Sequence, residues 1–465
     1  MTDQRSTTRG KAAPSRKLSC MLLTLGLVAS TSCATLISEP VLVRDFQAEP
    51  STAAFGLDPA EASYQLRWVG QKTYVQGEAI QLTAWPVEAL DPNDRLQVKV
   101  WDNGLLTLTD LALVVDQRFV VETSGWPELA AEQERVVTLT GTRPDSLTNQ
   151  ASLDQGRQVA FVELALGGAF QYSVEPSELE LEITEMDGKT VLKSGGVTAT
   201  FDDATGSLVS YQKDGVESLA SPMRPNFWRP GSEAEQAAPA ASVLARWKSA
   251  MSDSRATIRT LGEAGERVFL GYDLELGLHK GAPRGTVQLA WFMARGGSLE
   301  LNFNLHPSTL PDGSPGEIPQ VGMAFDLDRS LDQWSWYGRG PEPNTVDDLG
   351  RARWGQYTIN VPAKGAEGPR TVEGTRSGIR STTFSSKQGH GLSFTIPYAS
   401  VGSGGFEART YAQSWRELLG NSAAAGIFAV SLDVVSIGDL ANDRPERMRL
   451  FGNREYHYAL LLEIL

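Results

Sequence analysis

The sequence predicts an all-β protein, and three observations lead to that prediction. Many short segments alternate apolar and polar side chains, which is the period-two pattern of a half-buried antiparallel strand. Glycine, asparagine and aspartate separate those segments and favour turns. Long amphipathic helical patterns are hard to find, which argues against an embedded barrel with eight helices. With 465 residues the chain is long enough for two or three folded domains.

The first 33 residues are organised differently from the rest of the chain. A short apolar run, residues 21–29, is followed by small side chains and is preceded by basic ones, at Arg5, Arg9, Lys11, Arg16 and Lys17. This pattern is typical of a secretory signal peptide and is too short for a membrane-spanning helix. We therefore expect a secreted or extracytoplasmic protein and exclude residues 1–33 from the fold.

Both cysteines of the chain, Cys20 and Cys33, lie in this segment. The small residues Ser30-Thr31-Ser32 before Cys33 suit a bacterial lipoprotein cleavage site, although the usual leucine at the third position back is missing. Two readings follow: Cys33 is the lipid anchor of a membrane-anchored lipoprotein, or the signal is cleaved plainly and Cys33 is lost or left free. The protein contacts a membrane only if it carries this lipid. In both readings no disulfide stabilises the mature chain.

Two strand-rich regions follow a linker that we assign to residues 34–60. Residues 61–175 are predicted to form a β-sandwich, with strand patterns at 64–69, 79–85, 96–101 and 160–166 and a turn at Asp102-Asn103-Gly104. Residues 179–465 read almost entirely as strands and turns, with clear examples at 299–305 and 456–463.

Charge and composition exclude several classes of function. The net charge of -14 disfavours nucleic acid and anionic membrane surfaces, because both require basic patches. No histidine or cysteine cluster has the spacing of metal ligands. The glycine-rich residues 402–405 lack the strand, lysine and helix of a phosphate loop. We therefore predict no metal and no cofactor.

A rare-residue pattern identifies the second region. Residues 336–354 read W-Y-G-R-G-P-E-P-N-T-V-D-D-L-G-R-A-R-W. This segment resembles the G-x-G-P-x-E-N-Y-x-D-R signature in the last domain of glycoside hydrolase family 2 β-galactosidases. Four further landmarks of that family occur in the same order, namely F-D-D-A-T-G-S-L-V-S-Y at 201–211, P-N-F-W-R-P at 225–230, R-W-K-S-A at 246–250 and E-G-T-R-S-G-I-R at 373–380. In the last of these the glutamate lies one place late. The region 179–465 thus resembles the C-terminal small-chain part of that family.

The resemblance implies a more specific fold and a missing activity. It implies an immunoglobulin-like β-sandwich, similar to the family's linker domain, followed by a large galactose-mutarotase-like supersandwich. The family hydrolyses β-galactosides with two carboxylates on a separate barrel, for which this chain shows no counterpart, so we predict no catalytic residues. Two loops also depart from the family. Residues 437–445 lack the tryptophan of its G-G-D-D-S-W loop, and G-S-E-A-E-Q at 231–236 replaces its P-T-D-N-D.

Sugar binding without turnover requires aromatic faces and planar hydrogen-bond donors. The recognised landmarks supply such side chains, and we take as candidate carbohydrate-binding residues Trp228, Arg229, Trp336, Arg339, Glu342, Asn344, Arg376 and Arg380. The alternative is that they are core aromatics and buried ion pairs. Glu342 and the neighbouring Asp347-Asp348 are interpreted as ion-pairing residues of a loop.

Three functions remain open from the sequence. The first is a galactosidase-related accessory protein that binds a galactoside or another glycan without hydrolysing it. The second is the small subunit of a split β-galactosidase, which hydrolyses terminal β-galactosides only together with a catalytic galactosidase chain. The third is a sugar mutarotase or epimerase, which would need a histidine acid and a glutamate base. No mutarotase motif surrounds any of the four histidines, which are His279, His306, His390 and His457.

Overall fold

We describe the protein from a computed structural model. It describes residues 64–69, 77–128, 133–144, 156–231, 233–237, 240–250, 254–277, 283–308, 317–345, 352–361, 374–400, 405–422, 425–436, 450 and 454–465. The predicted signal peptide with Cys33, the linker 34–60 and the loop 437–445 lie outside these ranges, as does Asp347-Asp348. Those predictions stay predictions.

The first eight strands fall inside the segment predicted for the first β-sandwich. They are β1 Gln65–Val69, β2 Ile80–Trp85, β3 Arg95–Asp102, β4 Leu105–Val115, β5 Arg118–Val121, β6 Arg135–Pro144, β7 Gly156–Gly167 and β8 Ala169–Gln171. Seven of them form an antiparallel sheet in the order β1-β2-β5-β4-β3-β6-β7. The long strand β4 joins its two halves, since Leu105–Leu113 pair with β3 and Val114–Val115 pair with β5.

The two halves of this sheet share one apolar core. Side chains of β1, β2 and β5, such as Leu82 and Phe119, pack with side chains of β3, β6 and β7, such as Val98 and Leu139, and all four are fully buried. The predicted turn lies at Asn103-Gly104, where both residues have positive φ, 45° and 92°. This two-residue connection makes β3 and β4 a hairpin.

Twenty strands of the described chain follow. They are β9 Leu181–Met186, β10 Lys189–Ser194, β11 Val197–Asp202, β12 Ser207–Lys213, β13 Val216–Glu217, β14 Arg224–Asn226, β15 Arg255–Ala264, β16 Arg267–Leu276, β17 Gly285–Ala294, β18 Leu299–Pro307, β19 Gln320–Asp328, β20 Gln333–Gly340, β21 Arg353–Asn360, β22 Thr375–Ile379, β23 Ser381–Ser385, β24 Gly391–Thr395, β25 Tyr398–Ser400, β26 Phe406–Tyr411, β27 Ile427–Ser436 and β28 Tyr456–Ile464.

These strands form three large antiparallel sheets. A nine-stranded sheet has the order β15-β16-β17-β18-β28-β24-β23-β20-β21. One five-stranded sheet has the order β13-β12-β11-β10-β9, and the other has the order β14-β19-β27-β26-β22. One continuous core draws on all three, for example Phe201 from β11, Trp291 from β17 and Phe325 from β19. The all-β prediction is confirmed.

The hairpin between β11 and β12 explains one of the family landmarks. The carboxylate of Asp202 accepts hydrogen bonds from the backbone N–H groups of Ala204 and Thr205, each at 3.0 Å. Gly206 has a φ of +68°, and a Cβ there would lie 3.1 Å from the side chain of Tyr272. The turn therefore needs an acceptor at its first position and a glycine at its last.

The helices of the described chain are short. They are α1 Glu233–Ala237, α2 Ala240–Ala250 and α3 Trp415–Leu418, together with the 3₁₀ turns Val87–Ala89 and Arg329–Leu331. Helix α2 contains the R-W-K landmark and buries Leu244 and Trp247. Among the described residues, no helix is long and apolar enough to cross a membrane.

The first sandwich packs directly against the second region. Strand β8 pairs with β25, with Gln171 opposite Tyr398. Five buried side chains of the two regions meet in what we call the interface cluster, which consists of Trp101, Val136, Phe170, Tyr337 and Trp354.

Candidate functional site

The signature segment lies against the first sandwich. Its first residues form β20 and its last begin β21, and these two strands pair antiparallel. Tyr337 of β20 packs 6.0 Å from Trp101, while Trp354 of β21 meets Tyr337 edge-on at 5.4 Å. The Gln356 side chain donates to the carbonyl of Gly104 at 2.8 Å. The strands at the two ends of the signature segment therefore build the contact between the two regions.

Two of the candidate arginines bind carboxylates of the first sandwich. Arg380 donates to Glu134 at 2.8 Å, and both side chains are 1% exposed. Arg339 forms an ion pair with Glu163, whose other oxygen accepts the backbone N–H of Trp354 at 2.7 Å. The guanidinium carbons of Arg339 and Arg380 lie 5.6 and 5.0 Å from the Trp354 ring. Both pairs are matched, and the Arg380–Glu134 pair is buried, where a charge removed from water requires a partner.

Trp336, Arg376 and Asn344 form a second buried group behind the interface. The guanidinium carbon of Arg376 lies 5.2 Å from the Trp336 ring, whose indole N–H donates to the carbonyl of Arg339 at 2.9 Å. Burial lowers the pKa of Arg376 to about 10, an effect that Glu342 partly offsets. The Asn344 side chain accepts the backbone N–H of Ser377 at 3.0 Å. Asn344 thus fixes the strand that carries Arg376.

Glu342 is the exception among the candidates from the signature, because its side chain is exposed. Its carbonyl accepts the Asn344 amide at 2.9 Å. The structure therefore places Glu342 at the surface of the segment, whereas Trp336 and Asn344 are buried and Arg339 is partly buried.

The remaining candidates, Trp228 and Arg229, lie at a different place in the fold. They follow β14. The Trp228 ring lies 6.4 Å from the Trp415 ring, and the Lys248 ammonium lies 4.8 Å from the centre of the Trp228 ring. Arg229 is fully buried and donates twice to Glu235 of helix α1, at 2.8 and 2.7 Å. Glu235 belongs to the loop sequence in which this chain departs from the family.

Next to Arg229 lies a group of polar side chains on one side of the sheet β14-β19-β27-β26-β22. We call this group the polar face; its members are Asn226, Gln320, Glu407, Arg409, Ser431 and Asp433, all at most 1% exposed. Strand register brings them together, since Arg409 pairs with Ser431 and Glu407 with Asp433. Directly opposite residues of two strands point to the same side of a sheet.

Hydrogen bonds connect the polar face through Ser431. Its hydroxyl donates to Asp433 at 2.7 Å and accepts from the side-chain amides of Asn226 and Gln320, each at 3.2 Å. Gly322 lies opposite Asp433, where a Cβ would be 2.2 Å from the carbonyl oxygen of Leu432 and 2.6 Å from the carboxyl oxygen of Asp433. A glycine is therefore required for the backbones of β19 and β27 to approach this closely.

The electrostatics of the polar face depend on Asp433. Burial raises the pKa of Asp433 to about 8, which Arg409 and Ser431 only partly offset. Two arginines, Arg229 and Arg409, and two glutamates, Glu235 and Glu407, are buried in or beside the polar face. One carboxyl oxygen of Asp433 and the amide oxygen of Gln320 have no hydrogen-bond partner among the described residues. A carboxyl group, two guanidinium groups and two amides have the donors and acceptors that a hydroxyl group needs, but all of them are at most 1% exposed in this structure.

The polar face was missed from the sequence, although a signal for it exists. In F-E-A-R-T-Y at 406–411 two charged residues alternate with the apolar Phe406 and Ala408, which lie in the core. In S-L-D at 431–433 two polar residues flank the core residue Leu432. Alternation of this kind in a fully buried strand indicates a polar surface opposite the core. No group of three or more potential metal ligands occurs in the part of the chain that the structure describes.

The family model and the curated relatives point to one family. Residues 193–431 match the family described as beta galactosidase small chain. The chain is similar to the β-galactosidase of Priestia megaterium, with 26% identity over 240 residues that cover 51% of this chain and 22% of that protein. It is similar to the β-galactosidase of Clostridium acetobutylicum, with 24% identity over 225 residues that cover 48% of this chain and 24% of that protein.

The matched part thus spans less than a quarter of the curated relatives. Among solved structures, galactose 1-epimerase from Lactobacillus acidophilus is similar with a TM-score of 0.33 and 9% identity, covering 62% of this chain and 98% of that one.

Proposed function

This chain belongs to the β-galactosidase small-chain family, as its landmarks predict, and we propose that it is an accessory protein that binds carbohydrate and does not hydrolyse glycosidic bonds by itself. Its galactosidase-related character follows from the family. Two claims go beyond the family: the ligand is a galactoside or a related glycan, and the chain has no hydrolytic activity of its own.

The absence of hydrolysis is inferred from the burial and the arginine partners of the carboxylates. A glycosidase requires two carboxyl groups about 5 to 10 Å apart that face the same sugar. Glu134, Glu163 and Glu235 each bind an arginine. Glu407 and Asp433 lie opposite each other on β26 and β27, but both are buried in the polar face. Such groups stabilise a fold or position a neighbour, which argues against turnover by these carboxylates.

The test is hydrolysis of a chromogenic β-galactoside by the purified mature chain, together with retention of the chain on immobilised galacto-oligosaccharide. We expect retention and no turnover. Turnover by the chain alone would contradict the proposal, and Glu407→Gln and Asp433→Asn would then identify the acids. Absence of retention would contradict the binding part.

A second candidate function is the small subunit of a split β-galactosidase, and the small-chain description of the family favours it. It requires a partner chain that supplies the catalytic carboxylates. Adding the host's extracytoplasmic extract to the purified chain tests this function. Activity well above that of the extract alone would support a partner, which could then be isolated. The purified chain without extract tests a mutarotase, because an epimerase would speed anomer interconversion in a polarimeter without any partner.

We further propose that the protein is exported and that Cys33 carries the lipid anchor. The basic, apolar and small-residue order of the first 33 residues supports this. Cys33→Ala should move the protein from the membrane fraction to the soluble extracytoplasmic fraction, while Cys20→Ala, the matched control, should leave it in the membrane fraction. A protein that fractionates identically with and without Cys33 would contradict lipidation.

A further inference from the structure

A groove of about 500 Å³ is lined by none of the candidates discussed above. One wall is the segment Tyr172–Ser177, which connects the two sandwiches. The other wall is the outer side of the nine-stranded sheet, including Phe292 of β17 and Glu300 of β18. Its volume falls in the range of small-molecule sites, about 300 to 1,000 Å³.

The sheet wall combines an aromatic ring with charged groups held in place. On β17, Trp291 and Met293 face the core, so Phe292 faces outward. The guanidinium of Arg267 lies 4.9 Å from the Phe292 ring centre and donates to Glu300 at 2.7 Å. Neither the ring nor the ion pair requires a ligand to fix its position, so the wall is preorganised.

Among the described residues, two groove-lining side chains, Arg295 and Ser298, have buried polar atoms without a hydrogen-bond partner. Arg295 follows β17 and lines the groove beside Phe292. Its Nε–H is buried and has no hydrogen-bond partner among the described residues. A buried N–H without an acceptor costs stability, so Arg295 keeps unused hydrogen-bonding capacity at the wall of the groove.

The charges of the lining select the kind of ligand. Three glutamates, Glu175, Glu266 and Glu300, face two arginines, Arg267 and Arg295, which leaves one net negative charge. The chain as a whole carries -14. Anionic ligands are therefore disfavoured. A neutral polyol has both donors for the carboxylates and acceptors for the guanidinium groups, and its C–H faces pack on an aromatic ring.

We propose that this groove binds a neutral oligosaccharide, with Phe292 against the sugar ring and Arg295 donating to its oxygens. The choice of a saccharide over other neutral polyols rests on the proposed carbohydrate-binding function. The groove is distinct from the polar face and from the signature segment, so it is a separate binding site.

The test measures binding of β-1,4-galactotetraose to the purified mature chain by isothermal titration calorimetry, for the wild type and three variants. Arg295→Gln should weaken binding by roughly tenfold or more, the factor expected for a lost charged hydrogen bond. Phe292→Leu keeps an apolar side chain but removes the ring and should also weaken binding. Arg284→Gln is the matched control, because Arg284 is exposed at the opposite end of β17 and lies outside the lining.

The outcomes separate the groove from the general function. Weaker binding by Arg295→Gln and Phe292→Leu, with wild-type binding by Arg284→Gln and unchanged melting temperatures, supports the groove. Binding by both groove variants as tight as that of the wild type would overturn the groove and leave the carbohydrate-binding function standing. No binding by the wild type would overturn both. Tighter binding of tetragalacturonate than of galactotetraose would overturn the assignment of a neutral ligand.

Discussion

Replacing Asp433 by asparagine tests whether the polar face holds a proton at neutral pH. The carboxyl group is fully buried among Arg409, Glu407 and Arg229, and Ser431 donates to one of its oxygens. Asparagine keeps the shape and the acceptor for Ser431 but has no titratable proton. The variant therefore removes the proton and little else.

The expected effect follows from the pKa of Asp433, which burial raises to about 8 in the folded protein. An unfolded aspartate titrates near pH 4. Between these values the folded state holds a proton that the unfolded chain has released, so rising pH favours unfolding. The contribution of Asp433 to the free energy of unfolding is complete below about pH 4 and is lost as the pH rises to about 8. It changes by about 1.4 kcal/mol per pH unit, or about 3 kcal/mol between pH 5 and 7.

The assay is urea unfolding of the wild type and Asp433→Asn at several values between pH 5 and 7. The free energy of unfolding of the variant, minus that of the wild type, should rise by about 3 kcal/mol over this interval. Subtraction removes the other titrating groups, because both proteins contain them. Asp116→Asn, at an exposed turn position with a φ of 46°, should follow the wild type throughout. Parallel curves for the wild type and Asp433→Asn would show that Asp433 is ionised in the folded protein.

The remaining predictions concern the contact between the two regions. Glu134→Gln should destabilise the protein by about 3 to 5 kcal/mol, because it leaves Arg380 buried without its carboxylate; urea unfolding measures this, and a loss below 1 kcal/mol would contradict a tightly buried pair. Trp354→Ala should cost about 3 to 5 kcal/mol in the same assay, and should speed proteolysis between the two regions if the interface cluster holds them together. Gly378→Ala should cost at least about 1 to 2 kcal/mol, because the residue has a φ of +66° and its new Cβ would lie 3.2 Å from Trp354; a wild-type melting temperature would contradict this.

The strands were predictable because their signal is local. In β18 the alternation from Leu299 to Leu305 places every second residue in the core, and a neighbouring sheet is not needed to see it. One of the two neighbours of β18 in the sheet was not predictable. This neighbour is β28, where Leu301 pairs with Leu460, and no local pattern specifies a pairing over that separation. Sequence periodicity gives the face of a strand but not its place in the sheet.

The same limit applies to the candidate residues. The sequence left open whether the arginines of the landmarks bind a sugar or form buried ion pairs, because the acids that could pair with them are far away. Arg380 and Glu134 are 246 positions apart, and Arg339 and Glu163 are 176 apart. Arg229 and Glu235 are only six apart, yet a short helix had to bring them together. Only the folded chain shows which acid meets which arginine.

The buried ion pairs also decide how variants at the landmarks should be interpreted. The Arg380 guanidinium donates to both oxygens of Glu134 and lies 5.0 Å from the Trp354 ring, so its main hydrogen-bonding groups are already engaged. Replacing it removes a charge from the contact between two sandwiches before it removes anything from a ligand. A loss of glycan binding in such a variant would therefore measure the packing of the two regions. Arg295 has no such engagement in the described chain, so loss of binding with unchanged melting in Arg295→Gln would report on the ligand itself.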